Sequence, residues 1–547
     1  MKHAVALVSL LTVVAAVGCS GADGTITGPG AEAETTDSGA TTKTPETDAG
    51  TPDTATTIED STPPPPKEPE LVPVKELAIK ELALFQGVKV PLAKDGEKLD
   101  VTAKVHVVAG REGVLRVYVT PSATWTAREV IAELTLQVEG KDPKVFKANK
   151  TVTLASDDAL LDSTINIDVP NGAIEKGATF RVRLLTKPGQ TGEPAKSVYP
   201  TTGFDTLDVW ETGASFKVVL VPVKANGRVP DISPEQIERY RKILQAMYPV
   251  QKVELKVRDV WEYGGTLGAG GNGIYGLLDA VTALRKSDGA PKDVYYYGAF
   301  APTSTYSTYC NGGCTTGLCH LPGPSDTFLR ACVGVGFTGN SSAGTMAHEL
   351  GHAHGIPHSP CGSVAGADSK YPYTAGKIGS WGYDERTNAL ISPSKNYDFM
   401  SYCSPEWISD YAFDKIIHRM NYVEKEAFVS GGERTTYQFV RQLPNGKLEW
   451  GSDITLDEPM FGEPREVTYV TDRGETGKVT GYFYPYADEG GSILVPKPSL
   501  PCVKSGSAAR RSLGRYPESR ERQRAGLPVA GRSRPHPLPN GRGSVAR

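Results

Sequence analysis

Residues 346–358 read Met-Ala-His-Glu-Leu-Gly-His-Ala-His-Gly-Ile-Pro-His. His348 and His352 stand four apart, so on a helix both imidazoles project from one face and can fill two positions of a tetrahedral zinc. Glu349 follows the first, where its carboxylate can reach a water on that ion without becoming a ligand. Gly355 can adopt positive φ and end the helix, and the returning chain can then bring His358 in as the third protein ligand. Three neutral imidazoles leave a fourth position open, which separates a catalytic zinc from a structural one. His-Glu-x-x-His alone arises by chance in about one protein of this length in a hundred, and the spaced Gly and third His lower that to roughly one in 10⁵. The cofactor expected is one catalytic Zn2+; nothing in the sequence specifies a structural Ca2+.

The elements that must position these residues follow from the apolar pattern. Phe216 to Val223 has the pattern of a buried strand. Ser233-Pro234-Glu235-Gln236 supplies an N-cap, a proline at the first helical position and a capping-box glutamine ahead of Ile237, Tyr240, Ile243, Leu244 and Met247 at helical spacing. Val253 to Val260 and Asp293 to Phe300 are expected strands, with a helix over Ile274 to Leu284 between them. This β-α-β-α-β order predicts a mainly parallel sheet with covering helices in a central α/β domain, 213–430. Before it, 74–212 alternates apolar and polar positions in short runs such as Thr102 to Val108, Gly113 to Val119, Ala132 to Val138 and Phe180 to Leu185, the pattern of an antiparallel, Ig-like β-sandwich. Its one histidine, His106, falls in a strand pattern. After it, Thr436 to Val440, Arg465 to Val470 and Val479 to Phe483 predict a small all-β module over 431–502.

At residues 346–358 the sequence resembles the metzincin zinc endopeptidases, whose extended His-Glu-x-x-His-x-x-Gly-x-x-His signature is followed by a methionine-containing turn beneath the metal. Asp398-Phe399-Met400-Ser401-Tyr402 matches that second element. The resemblance implies that Met400 floors the three imidazoles, and that Tyr402 corresponds to the tyrosine which, in astacin-like and serralysin-like members, alternates between zinc and the oxyanion. Ser359 departs from the residue those two subfamilies carry after the third histidine. His354 lies between the ligands but on the wrong helical face, and is expected either to support the ligands from behind or to face solvent. A substrate would lie extended along a sheet edge within Thr316 to Leu321.

With 39% hydrophobic and 22% charged residues, the 547-residue chain is not collagen-like, coiled-coil or wholly disordered, and no run approaches the ~20 apolar residues of a membrane span. Lys2 and the apolar stretch Val5 to Gly18 form an export signal, 1–18, and its end resembles a bacterial lipoprotein signal in which Cys19 is acylated. Residues 20 to 73, with eleven acidic and two basic side chains, are expected as a disordered tether within 19–73. The Arg/Pro-rich end, 503–547, is expected as a disordered tail with no specific nucleic-acid binding. An exported chain meets oxidising surroundings, so Cys310, Cys314, Cys319, Cys332, Cys361 and Cys403 point to three disulfides. A structural zinc cluster of Cys310, Cys314, Cys319 and His320 is the alternative. If the chain returns beneath the metal as the resemblance implies, Cys361 pairs with Cys403 and the other four pair among themselves, in an order the sequence leaves open.

The function expected is a lipid-anchored zinc endopeptidase of the cell envelope acting on protein or peptide. Two alternatives stand beside it: a surface adhesin using the zinc fold as scaffold, and a zinc amidase acting on cell-wall peptide. An adhesin would need the histidines but not Glu349. Oligomeric state is not specified.

Overall fold

The computed structural model describes residues 70–99, 105–213, 215–425, 433–470 and 476–497; the export signal, Cys19, most of the tether, Cys502 and the 503–547 tail lie outside the described residues. Among the described residues no helix is long and apolar enough to cross a membrane.

Two antiparallel sheets form the N-terminal region. One has the strand order Val72–Pro73, Thr179–Thr186, Arg128–Gln137, Lys144–Val152; the other runs Glu97–Lys98, Lys89–Lys94, Leu77–Phe85, Gly113–Pro121, Ile165–Val169. Alternation explains the layering: Leu82, Leu84, Leu115 and Val117 of one sheet and Val130, Ala132, Leu134, Val182 and Leu184 of the other join one apolar core. Of the expected strand Thr102 to Val108, the described residues carry the strand Val107–Val108, which pairs in parallel with Val209–Trp210. Residues 101–104 lie outside the described residues.

The central sheet runs Val253–Val257, Phe216–Lys224, Val294–Phe300, Ala331–Val335, Gly317–Cys319. The first four strands are parallel and the last is antiparallel. Successive side chains face opposite sides. Val218, Leu220, Tyr295 and Tyr297 meet the helices Pro234–Met247, Asn340–Ala353 and Asp410–Lys425, while Val221, Val223, Tyr296 and Val333 meet the helix Ile274–Ser287. The expected strand to Val260 stops at Val257, whose pairing with Leu220 closes with the bond from Arg258 N to Leu220 O (2.9 Å), and pairing resumes at Trp261–Glu262.

The capping box predicted at Ser233 forms by half. Gln236 N donates to Ser233 Oγ (3.3 Å), but Asp231 takes the Ser233 amide (2.9 Å), and the Gln236 side chain is released to another task. It accepts from Gly339 N (2.8 Å) and donates to Gly339 O (3.1 Å), tying down the start of helix Asn340–Ala353.

The N-terminal sheets and the central layer share one apolar core. Buried Arg111 seals their junction by donating to the carbonyl of Ala246 in the last turn of the helix Pro234–Met247 and to those of Tyr248 and Val250 just beyond it. The C-terminal sheet is a five-stranded antiparallel array in the order Leu448–Leu456, Thr435–Gln442, Gly491–Pro496, Thr476–Pro485, Glu463–Val470.

Candidate metal centre

Helix Asn340–Ala353 buries Ala343, Met346, Ala347, Leu350 and Ala353 as one stripe, which turns His348 and His352 to the adjoining face. Gly355, at φ +78°, ends the helix, and the chain returns His358. The three imidazoles converge: His352 Nε2 lies 3.0 Å from His348 Nε2 and 3.2 Å from His358 Nε2.

The opposite ring edges decide what this convergence means. His348 Nδ1 faces Phe399 O at 2.7 Å, His352 Nδ1 faces Ile356 O at 2.7 Å and His358 Nδ1 faces Ala365 O at 2.8 Å. A carbonyl can only accept, so each Nδ1 carries the proton and, in a neutral ring, each Nε2 presents a lone pair. Burial keeps the rings neutral: it pushes His348 down to about 4 and His352 well below its usual range, with the neighbouring imidazoles adding to the effect, and lowers His358 as well. Three lone pairs about 3 Å apart repel unless a cation lies between them. The donor set and its protonation therefore fit a metal ion held by His348, His352 and His358.

Beneath the ligands lies the turn around Met400. Met400 is fully buried, and Gly351 lets it come close: a Cβ there would stand 2.4 Å from the Met400 sulfur. Buried Asp398 holds the turn by accepting from Ser359 Oγ (2.7 Å), Met400 N (2.9 Å) and Ser409 N (3.0 Å). Ser359, the departure from the astacin and serralysin pattern, thus links the segment after the third histidine to the turn around Met400. The disulfide Cys361–Cys403 closes the same wall. The other cysteines pair as Cys310–Cys314 and Cys319–Cys332, leaving none of these thiols for the alternative zinc cluster. His320 is instead buried, its Nε2 3.1 Å from Ser492 Oγ and its ring tilted against Tyr486.

Two of the expected placements differ in the structure. His354 is buried, not exposed, and does not touch the three histidines: its Nδ1 donates to Leu350 O (2.7 Å), and its ring stacks on Tyr295 at 4.5 Å with Phe216 edge-on. That helical face meets the sheet, where an aromatic cage accommodates an imidazole that desolvation pushes down to about 3. The edge Thr316 to Leu321 does carry the strand Gly317–Cys319, but part of it is already paired. Cys319 O accepts from Ala487 N (2.9 Å), and Leu321 N donates to Pro485 O (3.0 Å). The turn between the last two strands of the C-terminal sheet therefore covers the far end of this edge.

The same turn brings in Asp488, a residue the sequence reading missed. Its carboxylate lies 4.0 Å from His358 Nε2 and accepts from the Tyr402 hydroxyl at 2.9 Å. Tyr402 is half exposed, its ring 4.9 Å from that of His358. Glu349 is buried, and desolvation, with Asp488 contributing, holds its carboxyl well above the usual range. Gly317 lies within the edge expected over Thr316 to Leu321, and a Cβ on it would stand 2.3 Å from Glu349 Oε1, so the edge strand passes directly against the carboxylate. No signal local to Asp488 could have identified it, nor the contact of Gly317 with Glu349, because both arise through sheet pairing.

Residues 270–436, which include all three histidines and the turn at Met400, match the family model of Peptidase M66, and this supports a metallopeptidase. No curated protein matches the chain. Among solved structures, metalloproteinase-II from Bacteroides fragilis is similar over 58% of this chain and 86% of that one, at 14% identity and a TM-score of 0.22.

Proposed function

We propose that the protein is a zinc endopeptidase of the metzincin type, with the ion held by His348, His352 and His358. The observation that carries this reading is the trio of facing Nε2 lone pairs with a buried carboxylate on the next residue of the same helix. When bound, zinc supplies Lewis-acid polarisation of a peptide carbonyl and acidifies water. Glu349 takes a proton from the attacking water and returns it to the leaving amine. Desolvation raises the carboxyl's proton affinity, which helps it hold the proton between the two steps, and the bound cation would lower that affinity so that the carboxylate can act first as a base. Tyr402 stabilises the developing oxyanion through its hydroxyl once a substrate draws it from Asp488. The substrate is a protein or peptide extended along Gly317–Cys319, with the covered end of the edge limiting how far it runs.

Glu349→Gln should keep the metal at the three histidines but lose hydrolysis of a peptide library by several orders of magnitude. Near-normal cleavage by the purified variant would overturn the mechanism. The retained Glu349 is also what disfavours an adhesin scaffold, and cleavage of peptides with and without chelator separates an endopeptidase from an adhesin and from an amidase specific for cell-wall peptide. Export and lipid anchoring through Cys19 belong to the same proposal; intact-mass analysis finding an unmodified N-terminus would refute them.

A further inference from the structure

A second group of metal-ligating side chains lies away from the three histidines, where the N-terminal sheets meet the helix Asp410–Lys425. It consists of His106, Asp414 and His418. Asp414 and His418 stand four apart on one helical face, and His106 precedes the short strand Val107–Val108.

Here again the opposite ring edge is informative. His106 Nδ1 is 2.5 Å from Asp208 Oδ2, and Asp208 is itself fixed by Trp210, whose Nε1 donates to Oδ1 (3.2 Å) and whose ring stacks on His106 at 3.9 Å. With its proton on Nδ1 directed at a carboxylate, a neutral His106 offers the Nε2 lone pair to Asp414. A carboxylate behind an imidazole in this way is the usual support of a metal-binding histidine. Asp414 presents one oxygen to each imidazole: Oδ1 lies 3.7 Å from His106 Nε2, and Oδ2 lies 3.6 Å from His418 Nε2. Both distances are too long for hydrogen bonds. They are close to the about 3.3 Å expected between two ligands that each stand about 2 Å from one tetrahedral ion.

We infer that His106, Asp414 and His418 bind a second divalent transition-metal ion, with zinc the best match to a two-imidazole, one-carboxylate set, and that Asp208 orients His106 for it. Side chains from the N-terminal region and from the helix that follows the Met400 turn would then be joined by one ion. The role is structural, since the set shares no residue with the group of His348, His352 and His358.

Zinc stoichiometry tests this directly. Wild-type protein saturated with zinc and desalted should hold two ions per chain by elemental mass spectrometry. His418→Ala, which alters a half-exposed side chain, should hold one and keep its peptide hydrolysis, and Asp414→Asn should behave alike. Zinc added to chelated protein should raise the Tm of wild type more than that of His418→Ala. One ion per chain in wild type, or two in His418→Ala, would overturn the inference. So would loss of both ions with hydrolysis in His418→Ala, because the two sites would then not be separate. His352→Ala should lose the first ion and keep the second, whereas His418→Ala should do the reverse, so an ion count on both variants tells which site is occupied and either conclusion can fail without the other.

Discussion

Two helices in this protein carry potential metal ligands four residues apart, and they are finished in opposite ways. On Asn340–Ala353, His348 and His352 are joined by His358 from the same stretch of chain, and all three rings lean on main-chain carbonyls at Phe399, Ile356 and Ala365. On Asp410–Lys425, Asp414 and His418 are completed by His106 from another region, and the supporting group is the Asp208 side chain. The first group is almost entirely buried, whereas His418 of the second is about half exposed. A carbonyl cannot change its proton count and is held by the fold, so a backbone-supported group keeps the same tautomer in every state of the site. A carboxylate-supported group at a junction ties its geometry to the meeting of two regions. The difference suits chemistry in one case and cohesion in the other.

The largest effect that should break this contrast is His352→Ala. It removes the ligand central to the first group, so hydrolysis should fall by several orders of magnitude and zinc content should drop by one ion, leaving the second in place. Elemental analysis together with a peptide assay checks both; an unchanged ion count would remove the first group from the comparison.

Next in size is Cys361→Ser. The bond to Cys403 spans 42 residues, and closure of such a loop is worth about 4 kcal/mol in the chain-entropy model. Because the bridge joins the segment after His358 to the segment after Met400, denaturant unfolding should show lost stability and chelator challenge should show faster loss of metal from the first group. Unaltered metal retention would mean that Asp398, with its contacts to Ser359, Met400 and Ser409, holds the floor by itself.

The smallest effect sharpens the contrast. Gly317→Ala should displace the Glu349 carboxylate, lowering kcat/KM on the order of 100-fold with both ions retained, as a misplacement of about 1 Å does. Steady-state kinetics beside elemental analysis would separate this from a ligand defect. Full activity would show that the edge strand yields instead of the carboxylate.

Much of the central layer was legible because it obeys local periodicities. The runs at Phe216, Ile274 and Asp293 lie where the strands Phe216–Lys224 and Val294–Phe300 and the helix Ile274–Ser287 form, and each buries a face its own spacing defines. Gln236 was misassigned because its local partner, the Ser233 amide, is taken by Asp231, a competition that the spacing alone does not reveal. His354 was misplaced for a related reason: the helical face could be counted, but the aromatic cage of Phe216, Tyr248 and Tyr295 that receives it comes from three separate elements.

What the amino-acid sequence determined by itself was the chemistry that lies within one helix and its exit: His348, Glu349, His352, Gly355 and His358 are placed by the 3.6-residue repeat and a single positive φ, so their spacing is already geometry. The tertiary structure alone decided which nitrogen of each histidine is free, that Asp488 reaches the site and Gly317 passes against Glu349, that Ser359 and Asp398 anchor the Met400 turn, and that His106 meets Asp414 and His418. These depend on sheet register and on the meeting of distant segments, where no short-range period relates one partner's position to the other's.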